Sequence, residues 1–532
     1  MTMSKIRGMR GFLASSIGVT CAAALALPLT PPAAAASPPA TETVLSARAP
    51  TANTPARTNP SVKTNPSVKT NPSVKTNPSV KTNTPAKAPA PAQPPTRPAP
   101  AAEAPGSTQS LPLAPLTHPD RTLAPTAEQG LPRQDVRHFS LVGVIWDDPD
   151  VELHGRVQVR TRAAGTGTWS GWQDVDTHNA DHAADPDTAE RTSGRVRGAT
   201  APLWVGDSDG VEVRVRADAG AHDHRVEETA RGPRTVTAGS PLPSGMRLEL
   251  VDPGAPPEAA PDVTADAARA RGLAPTAEPV AALAAVDASA ANAGLAPFGA
   301  TEIPELTRSR TERELFSLRT AELTREQRAK PKIGPRPRIV TRRGWGANEG
   351  LRERRFVYTK KVKAAFVHHT ASGNGYRCAQ APSVIRGIYR YHVLSMGWRD
   401  IGYNFLVDKC GNIYEGRAGG VAKPVLGAHT LGFNTNSMGI AVLGTFGSTK
   451  PSASAVKGIA RLTAWKLGLH GANPRGKTYL KSGGGNLYRK GKNVRLNVIS
   501  GHRDGFPTAC PGRQLYRKLG TTRSTAARYQ GR

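Results

Sequence analysis

The chain has 532 residues, of which 38% are hydrophobic and 21% are charged, and its formal net charge is +30. This length exceeds that of one typical domain, so several domains are expected. The charge is concentrated in residues 336–532, where 35 Lys and Arg stand against 6 acidic residues, and such a field favours a polyanionic partner. Beyond the first 36 residues no stretch is long and apolar enough to span a bilayer, which argues against stable membrane insertion after signal removal.

Residues 1–36 have the pattern of a secretory signal peptide. Three basic residues among the first ten precede an apolar segment from Gly11 to Leu29, and Ala34-Ala35-Ala36 forms a small-residue cleavage site. We therefore predict a secreted, cell wall-associated protein. Export favours an anionic cell envelope over nucleic acid as the partner of the basic region. A solvated basic surface without a specific partner is the alternative.

Residues 37–135 are dominated by Ala, Pro, Thr and Ser. They include four tandem copies of Thr-Asn-Pro-Ser-Val-Lys, from Thr58 to Lys81. Such a composition offers too little apolar surface to form a core, so we predict a disordered tether. Its prolines favour an extended spacer, and its lysines suit passage through an anionic wall.

Residues 136–252 have the pattern of a β-rich module. A period of two in Arg156–Arg160 and in Val211–Arg216 predicts half-buried strands, and Phe139–Trp146 and Met246–Val251 predict two more. Several short strands separated by turn residues indicate an all-β, sandwich-like accessory module. The sequence does not indicate its ligand.

The C-terminal part of the chain predicts an α/β domain. Residues 253–335 are rich in Ala and Pro and are predicted to be a linker with a short helix, residues 336–520 the domain, and residues 521–532 a basic tail. A mixed central sheet flanked by helices is expected. The predicted helices are Ser383–Leu394 and Ala453–Leu469, and the predicted strands are Ala364–His368, Tyr403–Val407, Ile413–Glu415, Met438–Leu443 and Asn497–Ser500.

Three cysteines remain after removal of the signal peptide: Cys378, Cys410 and Cys510. An exported compartment permits disulfides, and Cys378 with Cys410 is the economical pair. Cys510 is then an unpaired thiol. It is either a metal ligand or a buried free cysteine.

A zinc site is indicated by the C-terminal motif. His502 and Cys510 lie eight positions apart, and both side chains are natural zinc ligands. His368, at the end of an apolar run that predicts a buried strand, is a third candidate. Three protein ligands leave one coordination position open for water, which is typical of a catalytic rather than a structural zinc site.

Five motifs in the C-terminal domain follow one another in the order of a known family. They are Val367-His368-His369-Thr370-Ala371, the segment from Gly397 to Phe405, the segment from Ile413 to Arg417, Gly427-Ala428-His429, and Gly501-His502-Arg503-Asp504 with Thr508–Gly512. The series resembles the peptidoglycan recognition protein and type 2 N-acetylmuramoyl-L-alanine amidase family over about 185 residues. The acidic β-rich module resembles one that accompanies such amidases in actinobacteria.

The resemblance implies that His368, His502 and Cys510 bind Zn2+ and that Tyr403 and Thr508 are catalytic. The implied reaction is hydrolysis of the amide bond between N-acetylmuramic acid and L-alanine in peptidoglycan. Zinc can polarise the scissile carbonyl and lower the pKa of bound water towards about 7, while the two hydroxyl groups stabilise the intermediate or orient the water. Adjacent side chains of a strand point to opposite faces, so His369 is expected to pack beside the site.

Substrate contacts follow from the same resemblance. Gly397 and Trp398 occupy the position that favours stem peptides of the diaminopimelate type, whose extra carboxylate a basic groove would complement. Arg417 and His429 are further candidates for substrate binding. We expect a monomer whose partners are peptidoglycan and anionic wall polymers, with no nucleic acid.

Two other functions remain open at this stage. Family members that lack the Cys ligand are non-catalytic peptidoglycan receptors, and a binding-only role suits a long tether with an accessory module. The joint presence of His368, His502, Cys510 and Tyr403 favours catalysis. A general polyanion or nucleic-acid binder is supported by the charge alone.

Overall fold

The computed structural model describes residues 106–116, 128–218, 242–255 and 278–532, all within one compact unit, Thr96–Arg532. The predicted signal peptide and the repeats of the predicted tether lie outside the described residues. Within these ranges no helix is both long enough and apolar enough to cross a membrane.

An antiparallel sheet of eight strands forms the N-terminal module. The strands are β1 (Ser107–Pro112), β2 (Ala114–Pro115), β3 (Glu128–Trp146), β4 (Gly155–Ala163), β5 (Gln173–Val175), β6 (Gly198–Ala199), β7 (Leu203–Ala217) and β8 (Arg247–Asp252). Their order is β1-β8-β3-β7-β4-β5, and β2 and β6 also pair with β3. The all-β prediction is confirmed. The strands form one continuous hydrogen-bonded sheet, in which the long strands β3 and β7 pair along most of their length with shifts of register, and residues of β3, β4, β7 and β8 share one apolar core.

Strand β3 contributes side chains to two cores. Val142 and Val144 belong to the apolar core of the module itself. Leu141, which directly precedes Val142, belongs instead to a cluster that contains Tyr391 of the C-terminal domain. Adjacent residues of a strand face opposite sides, so both faces of the sheet are covered here. A strand buried on both faces has a continuous apolar sequence, which explains the run Phe139–Trp146.

A mixed sheet of seven strands forms the centre of the C-terminal domain. Its strands are β9 (Glu302–Ile303), β10 (Ile339–Val340), β11 (Ala364–His369), β12 (Phe405–Val407), β13 (Ile413–Glu415), β14 (Ser437–Val442) and β17 (Ile499–Gly501), and a separate pair is formed by β15 (Lys477–Lys481) and β16 (Asn493–Asn497). The order is β17-β11-β14-β12-β13-β10-β9. Strand β11 is parallel to both of its neighbours, β14 and β17, whereas β12 and β13 are antiparallel.

Helices cover both faces of this sheet, as the sequence predicts for an α/β domain. They are α1 (Glu278–Ala290), α2 (Arg308–Arg319), α3 (Arg325–Ala329), α4 (Ala381–Arg390), α5 (Ala453–Leu469), α6 (Arg513–Tyr516) and α7 (Leu519–Tyr529). Val367 and Ile440 share a core with residues of α5, whereas Leu406 and Ala441 share one with residues of α4. Ser452 caps the N-terminus of α5, because its hydroxyl accepts from the backbone N–H of Ala455 (3.0 Å).

The structure moves the predicted end of the tether. Strand β1 lies inside residues 37–135, yet it is fully paired with β8, from Ser107 opposite Asp252 to Pro112 opposite Arg247. Backbone hydrogen bonds hold this edge strand, and its side chains alternate only weakly between buried and exposed. The pattern of side chains therefore gives little signal for it.

The predicted linker and tail are also shorter than expected. Ile303 and Leu315, within residues 253–335, are buried in the same core as α5, and so is Ala526, within residues 521–532. In each segment a few apolar residues are dispersed among charged or small ones. Such residues are buried only because they pack against distant parts of the chain, and the composition of the segment does not predict this packing.

The N-terminal module packs closely on the C-terminal domain. The hydroxyl of Tyr391 donates to the carbonyl of Thr200 (3.1 Å), and Ser395 donates to the carboxylate of Glu249 (2.7 Å). Gly143 permits this approach, since a Cβ there would lie 2.4 Å from the Tyr391 hydroxyl oxygen. The contact fixes the position of the module beside the sheet edge that carries the predicted metal ligands.

Cys378 and Cys410 form a disulfide, which connects the segment before α4 to the turn between β12 and β13. Cys510 is free and buried.

Candidate metal centre

Two adjacent parallel strands bring the predicted ligands together. Val367 of β11 pairs with Gly501 of β17, so His368 and His502, each one residue further along, lie at the same level. Their Nδ1 atoms are 3.1 Å apart. The Sγ atom of Cys510, on the loop that follows, lies 3.8 Å from Nδ1 of His368. The three residues predicted as zinc ligands therefore meet at one point.

A fourth potential ligand, His182, was not predicted. It lies on the long connection between β5 and β6 of the N-terminal module, and its Nε2 is 3.8 Å from Sγ of Cys510. The donor atoms of His182, His368, His502 and Cys510 all lie within 4.8 Å of one another, and all four residues are buried. The sequence around His182 contains no motif that marks it as a ligand, because its position depends on the docking of the two domains.

Hydrogen bonds orient the ring nitrogens towards the common point. Nδ1 of His182 lies 2.9 Å from a carboxylate oxygen of Asp181. An ionised carboxylate can only accept, so Nδ1 carries the proton and Nε2 directs a lone pair towards the cluster. In the same way Nε2 of His368 lies 3.4 Å from the Thr430 hydroxyl, which leaves its Nδ1 for the cluster. A carboxylate behind a ligating histidine is a common feature of metal sites.

The electrostatics of the cluster fit a bound cation. Burial lowers the pKa of His368 well below its usual value, and that of His502 to about 3, so both rings are neutral. Burial also raises the pKa of the Cys510 thiol well above its usual value, with a further contribution from Asp181. Neutral imidazoles and a thiolate are the ligands that Zn2+ prefers, and a divalent cation would stabilise the thiolate that burial disfavours. The residues present therefore fit a zinc ion.

The predicted catalytic residues surround this cluster. The ring of Tyr403 lies 5.6 Å from that of His368, and the side chain is only 5% exposed, so burial raises the pKa of its hydroxyl. Thr508 is partly exposed, and its hydroxyl accepts from the backbone N–H of Cys510 (3.1 Å). His369 is buried beside the site, and its Nδ1 faces the backbone N–H of Phe446 (3.4 Å) rather than the cluster.

A small pocket opens beside the cluster. Tyr403, Thr508 and Cys510 line one part of it, and Asp176 and His182 of the N-terminal module line another. Both domains therefore shape the space in which a substrate would meet the predicted catalytic groups.

Of the predicted substrate-binding residues, Gly397 and Trp398 lie in contact with the N-terminal module. Gly397 has a φ of 74°, and a Cβ there would lie 2.0 Å from the carbonyl oxygen of Arg195. The Trp398 ring packs on His392, with centroids 4.5 Å apart, and the side chain is 3% exposed. The N-terminal module thus covers this part of the predicted groove.

Arg417 and His429 are also buried. The guanidinium of Arg417 donates to both carboxylate oxygens of Glu190, which belongs to the N-terminal module (2.8 Å each). The His429 ring lies behind that of His368, at 5.3 Å between centroids. Arg417 is therefore positioned to bind a carboxylate. His429 is fully buried and packs against His368, so it does not face an open groove.

Comparisons with known proteins agree with this architecture. The family model described as N-acetylmuramoyl-L-alanine amidase matches residues 358–513, and the model described as the Rv3811 N-terminal galactose-binding domain-like family matches residues 91–238. The second match includes β1, in agreement with the corrected boundary of the N-terminal module.

Curated relatives are peptidoglycan recognition proteins. Peptidoglycan-recognition protein SC2 of Drosophila simulans is 31% identical over 183 residues, which are 34% of this chain and 85% of the relative. Peptidoglycan-recognition protein LE of Drosophila melanogaster is 38% identical over 126 residues, 24% of this chain and 35% of the relative. A crystal structure of protein LE in complex with tracheal cytotoxin, a monomeric peptidoglycan of the diaminopimelic acid type, is 32% identical, with a TM-score of 0.27, and covers 34% of this chain and 92% of its own.

The resemblance predicted from the five motifs is thus confirmed, and it extends over the domain that carries His368, His502 and Cys510. The chain combines a galactose-binding-like N-terminal module with a C-terminal amidase domain, and it belongs to the family of peptidoglycan recognition proteins and type 2 amidases.

Proposed function

We propose that this protein is a zinc-dependent N-acetylmuramoyl-L-alanine amidase, exported to the cell wall, where it cleaves peptidoglycan. The observation that carries the proposal is the convergence of His368, His502 and Cys510, with Tyr403 beside them. Family members without the Cys ligand are receptors, so a buried Cys510 within reach of both histidines favours catalysis.

The chemistry of the site supports hydrolysis of an amide. When bound, Zn2+ supplies a Lewis acid that polarises a carbonyl and activates water at neutral pH. Burial keeps the Tyr403 hydroxyl protonated at neutral pH, and so it can donate a hydrogen bond to the oxyanion that develops on the scissile carbonyl. Thr508 is partly exposed and lines the pocket, so its hydroxyl can orient the attacking water or the leaving amine.

The substrate class follows from the groove. Arg417 holds a carboxylate in two parallel hydrogen bonds, the geometry that an Arg uses to recognise carboxylic acids. Gly397-Trp398 resembles the family pattern for diaminopimelate-type stem peptides, and the relative LE is described in complex with a peptidoglycan fragment of that type. We infer that such stem peptides are the substrate.

The test uses the full chain, as wild type and as His182→Ala, loaded with zinc and incubated with diaminopimelate-type peptidoglycan. Mass spectrometry should detect stem peptides with a free L-alanine amine, and Cys510→Ser should abolish their release. If both zinc-loaded proteins bind peptidoglycan and neither releases stem peptides, the receptor function replaces the amidase.

A further inference from the structure

We propose that the connection between β5 and β6, residues 176–197, is an autoinhibitory latch that closes the metal centre and the substrate groove. This inference rests on the proposed function, because it names how the same site is regulated. It is supported by three features of the connection: a side chain at the metal cluster, a carboxylate in the groove, and a set of buried hydrogen bonds that fasten the latch.

The first feature is His182. A catalytic zinc site keeps three protein ligands and one open position, whereas a site with four protein ligands is closed. His182 directs the lone pair of Nε2 to the cluster and is held there by Asp181. Its ring stands 4.5 Å from that of His502 and 5.8 Å from that of Tyr403, and it lines the same pocket as Tyr403 and Cys510. With Nε2 on the metal, His182 would fill the coordination position that a catalytic zinc site leaves open for water.

The second feature is Glu190. Its carboxylate forms two hydrogen bonds of 2.8 Å with the guanidinium of Arg417, and both side chains are 5% exposed. The same carboxylate accepts from the backbone N–H of Arg399 (3.2 Å). An acidic group of a stem peptide must displace Glu190 before it can bind Arg417. The Glu190 carboxylate of the latch thus occupies the position at Arg417 that the carboxylate of an acidic peptide would take.

The third feature is the way in which the latch is fastened. The carboxylate of Asp185 accepts from the backbone N–H of Gly432 (2.8 Å) and from the side chain of Asn434 (2.7 Å). The same Asn434 side chain donates to the carbonyl of Ala183 (2.8 Å), and the backbone N–H of Leu431 donates to the carbonyl of Asp181 (3.0 Å). These contacts are mainly polar. Water can replace each of them when the latch leaves. The latch also contributes the side chains of Ala184 and Val196 to the apolar cluster that contains Tyr391, so opening exposes these two side chains as well.

The irregular structure of the latch agrees with this role. Between β5 and β6 the chain forms turns and bends without a helix or strand. Segments that open locally are those with few apolar contacts and little regular hydrogen bonding. The latch begins and ends at short strands, since β5 pairs with β4 at three positions and β6 pairs with β3 at two. The long strands β3 and β7 pair with each other independently of the latch, so the module can stay folded when the latch leaves the site.

The experiment compares His182→Ala with wild type in the full chain, with His154→Ala as the matched control, since His154 is an exposed histidine of the same module. The metal readout is the affinity for Zn2+, measured by competition with a chromophoric chelator, together with the absorption spectrum of the Co2+ form. We expect His182→Ala to lower zinc affinity about 10- to 100-fold and to change the cobalt spectrum as water replaces a nitrogen ligand. The control should match wild type.

The functional readouts are release of stem peptides and binding of a soluble muropeptide of the diaminopimelate type. The latch predicts that His182→Ala raises both by at least about tenfold. An unchanged cobalt spectrum and zinc affinity would overturn the ligation of His182. A changed spectrum with lower hydrolysis would overturn the latch and make His182 part of the working site.

Failure of the proposed function gives a different result. In that case neither protein releases stem peptides, but His182→Ala still binds the muropeptide more tightly than wild type, and the latch stands as the lid of a receptor. Equal muropeptide binding by wild type and His182→Ala, with no release from either, would overturn the latch as well.

Discussion

The carboxylate of Glu190 and the guanidinium of Arg417 form a buried, two-pronged ion pair between the two domains, with both N···O distances at 2.8 Å. Glu190 belongs to the latch and Arg417 to the predicted substrate groove. The pair therefore couples the position of the N-terminal module to the availability of the groove.

Replacement of Glu190 by Gln should make the groove more accessible. The amide retains the shape of the side chain but loses the charge, so an acidic stem peptide competes better for Arg417. We expect the affinity for a diaminopimelate-type muropeptide to rise about tenfold, as measured by isothermal titration calorimetry. Asp187→Asn is the control, because the Asp187 carboxylate is 67% exposed and pairs with Lys490 at the surface. Equal affinities of Glu190→Gln and wild type would contradict the competition.

Removal of the metal should destabilise the protein. A ligand that binds only the folded state at about 100 times its dissociation constant adds about 2.7 kcal/mol to the free energy of unfolding. EDTA should therefore lower the Tm of the zinc-loaded chain by several degrees in calorimetry. Cys510→Ser, with a weakened site, should have a lower Tm that EDTA hardly changes. A wild-type Tm that does not respond to EDTA would argue against a structural contribution from zinc.

Replacement of Tyr403 by Phe should affect turnover and leave metal binding intact. The ring would still pack beside His368, but the hydrogen bond to the developing oxyanion would be lost. Removal of one such donor typically lowers kcat about 100- to 1000-fold. Peptide release should be measured in the more active of the wild-type and His182→Ala backgrounds, with zinc content determined in parallel. A kcat within twofold of the parent would exclude Tyr403 from the reaction.

The pH dependence of stability should change when Glu415 is replaced by Gln. Burial raises the pKa of Glu415 from 4.5 to about 7, although Asn292 donates to both of its carboxylate oxygens (2.9 and 3.0 Å). Between these values the folded state holds a proton that the unfolded state has lost, so this group makes the free energy of unfolding fall as pH rises, by up to about 3 kcal/mol.

Urea unfolding at several pH values tests this sign. From pH 4.5 to pH 7 the free energy of unfolding of wild type should fall relative to that of Glu415→Gln. Above about pH 8 the difference between the two proteins should stay constant. A difference that moves in the opposite direction would show that the carboxylate is ionised in the folded state at neutral pH.

A larger side chain at Gly143 should disturb the contact between the domains. A Cβ at this position would lie 2.4 Å from the hydroxyl oxygen of Tyr391, whose ring is fully buried and cannot move aside. Overpacking of this kind typically costs about 1–3 kcal/mol. Gly143→Ala should therefore unfold at a lower urea concentration than wild type, and an unchanged midpoint would contradict the close packing of Gly143 on Tyr391. A glycine without neighbours, Gly171, provides the control substitution to Ala.

The sequence predicted the elements whose signals are local. The strand β11 was predicted to within one residue and α5 at both ends, because a continuous apolar run or a helical period with a cap identifies each of them. The three ligands His368, His502 and Cys510 were placed in one site by the resemblance, and the structure brings them together.

What the sequence did not predict depends on distant parts of the chain. The edge strand β1 is defined by its pairing with β8, and His182 reaches the metal cluster only because the two domains dock. An Asp-His pair in an irregular connection has no periodicity and no ligand spacing to mark it. A signal was present only in the acidic residues that cluster around it, Asp181, Asp185 and Asp187 with Glu190, in a chain whose C-terminal domain is strongly basic.

Strand β3 contributes side chains to the cores of both domains, and this limits how the site can open. Val142 and Leu141, neighbours on this strand, are anchored in different cores, one in each domain. Movement of the whole module would remove Leu141 from the cluster that contains Tyr391, and the exposure of buried apolar side chains would be unfavourable. Opening of the proposed latch therefore requires movement of the connection between β5 and β6 alone, while β3 keeps both domains joined.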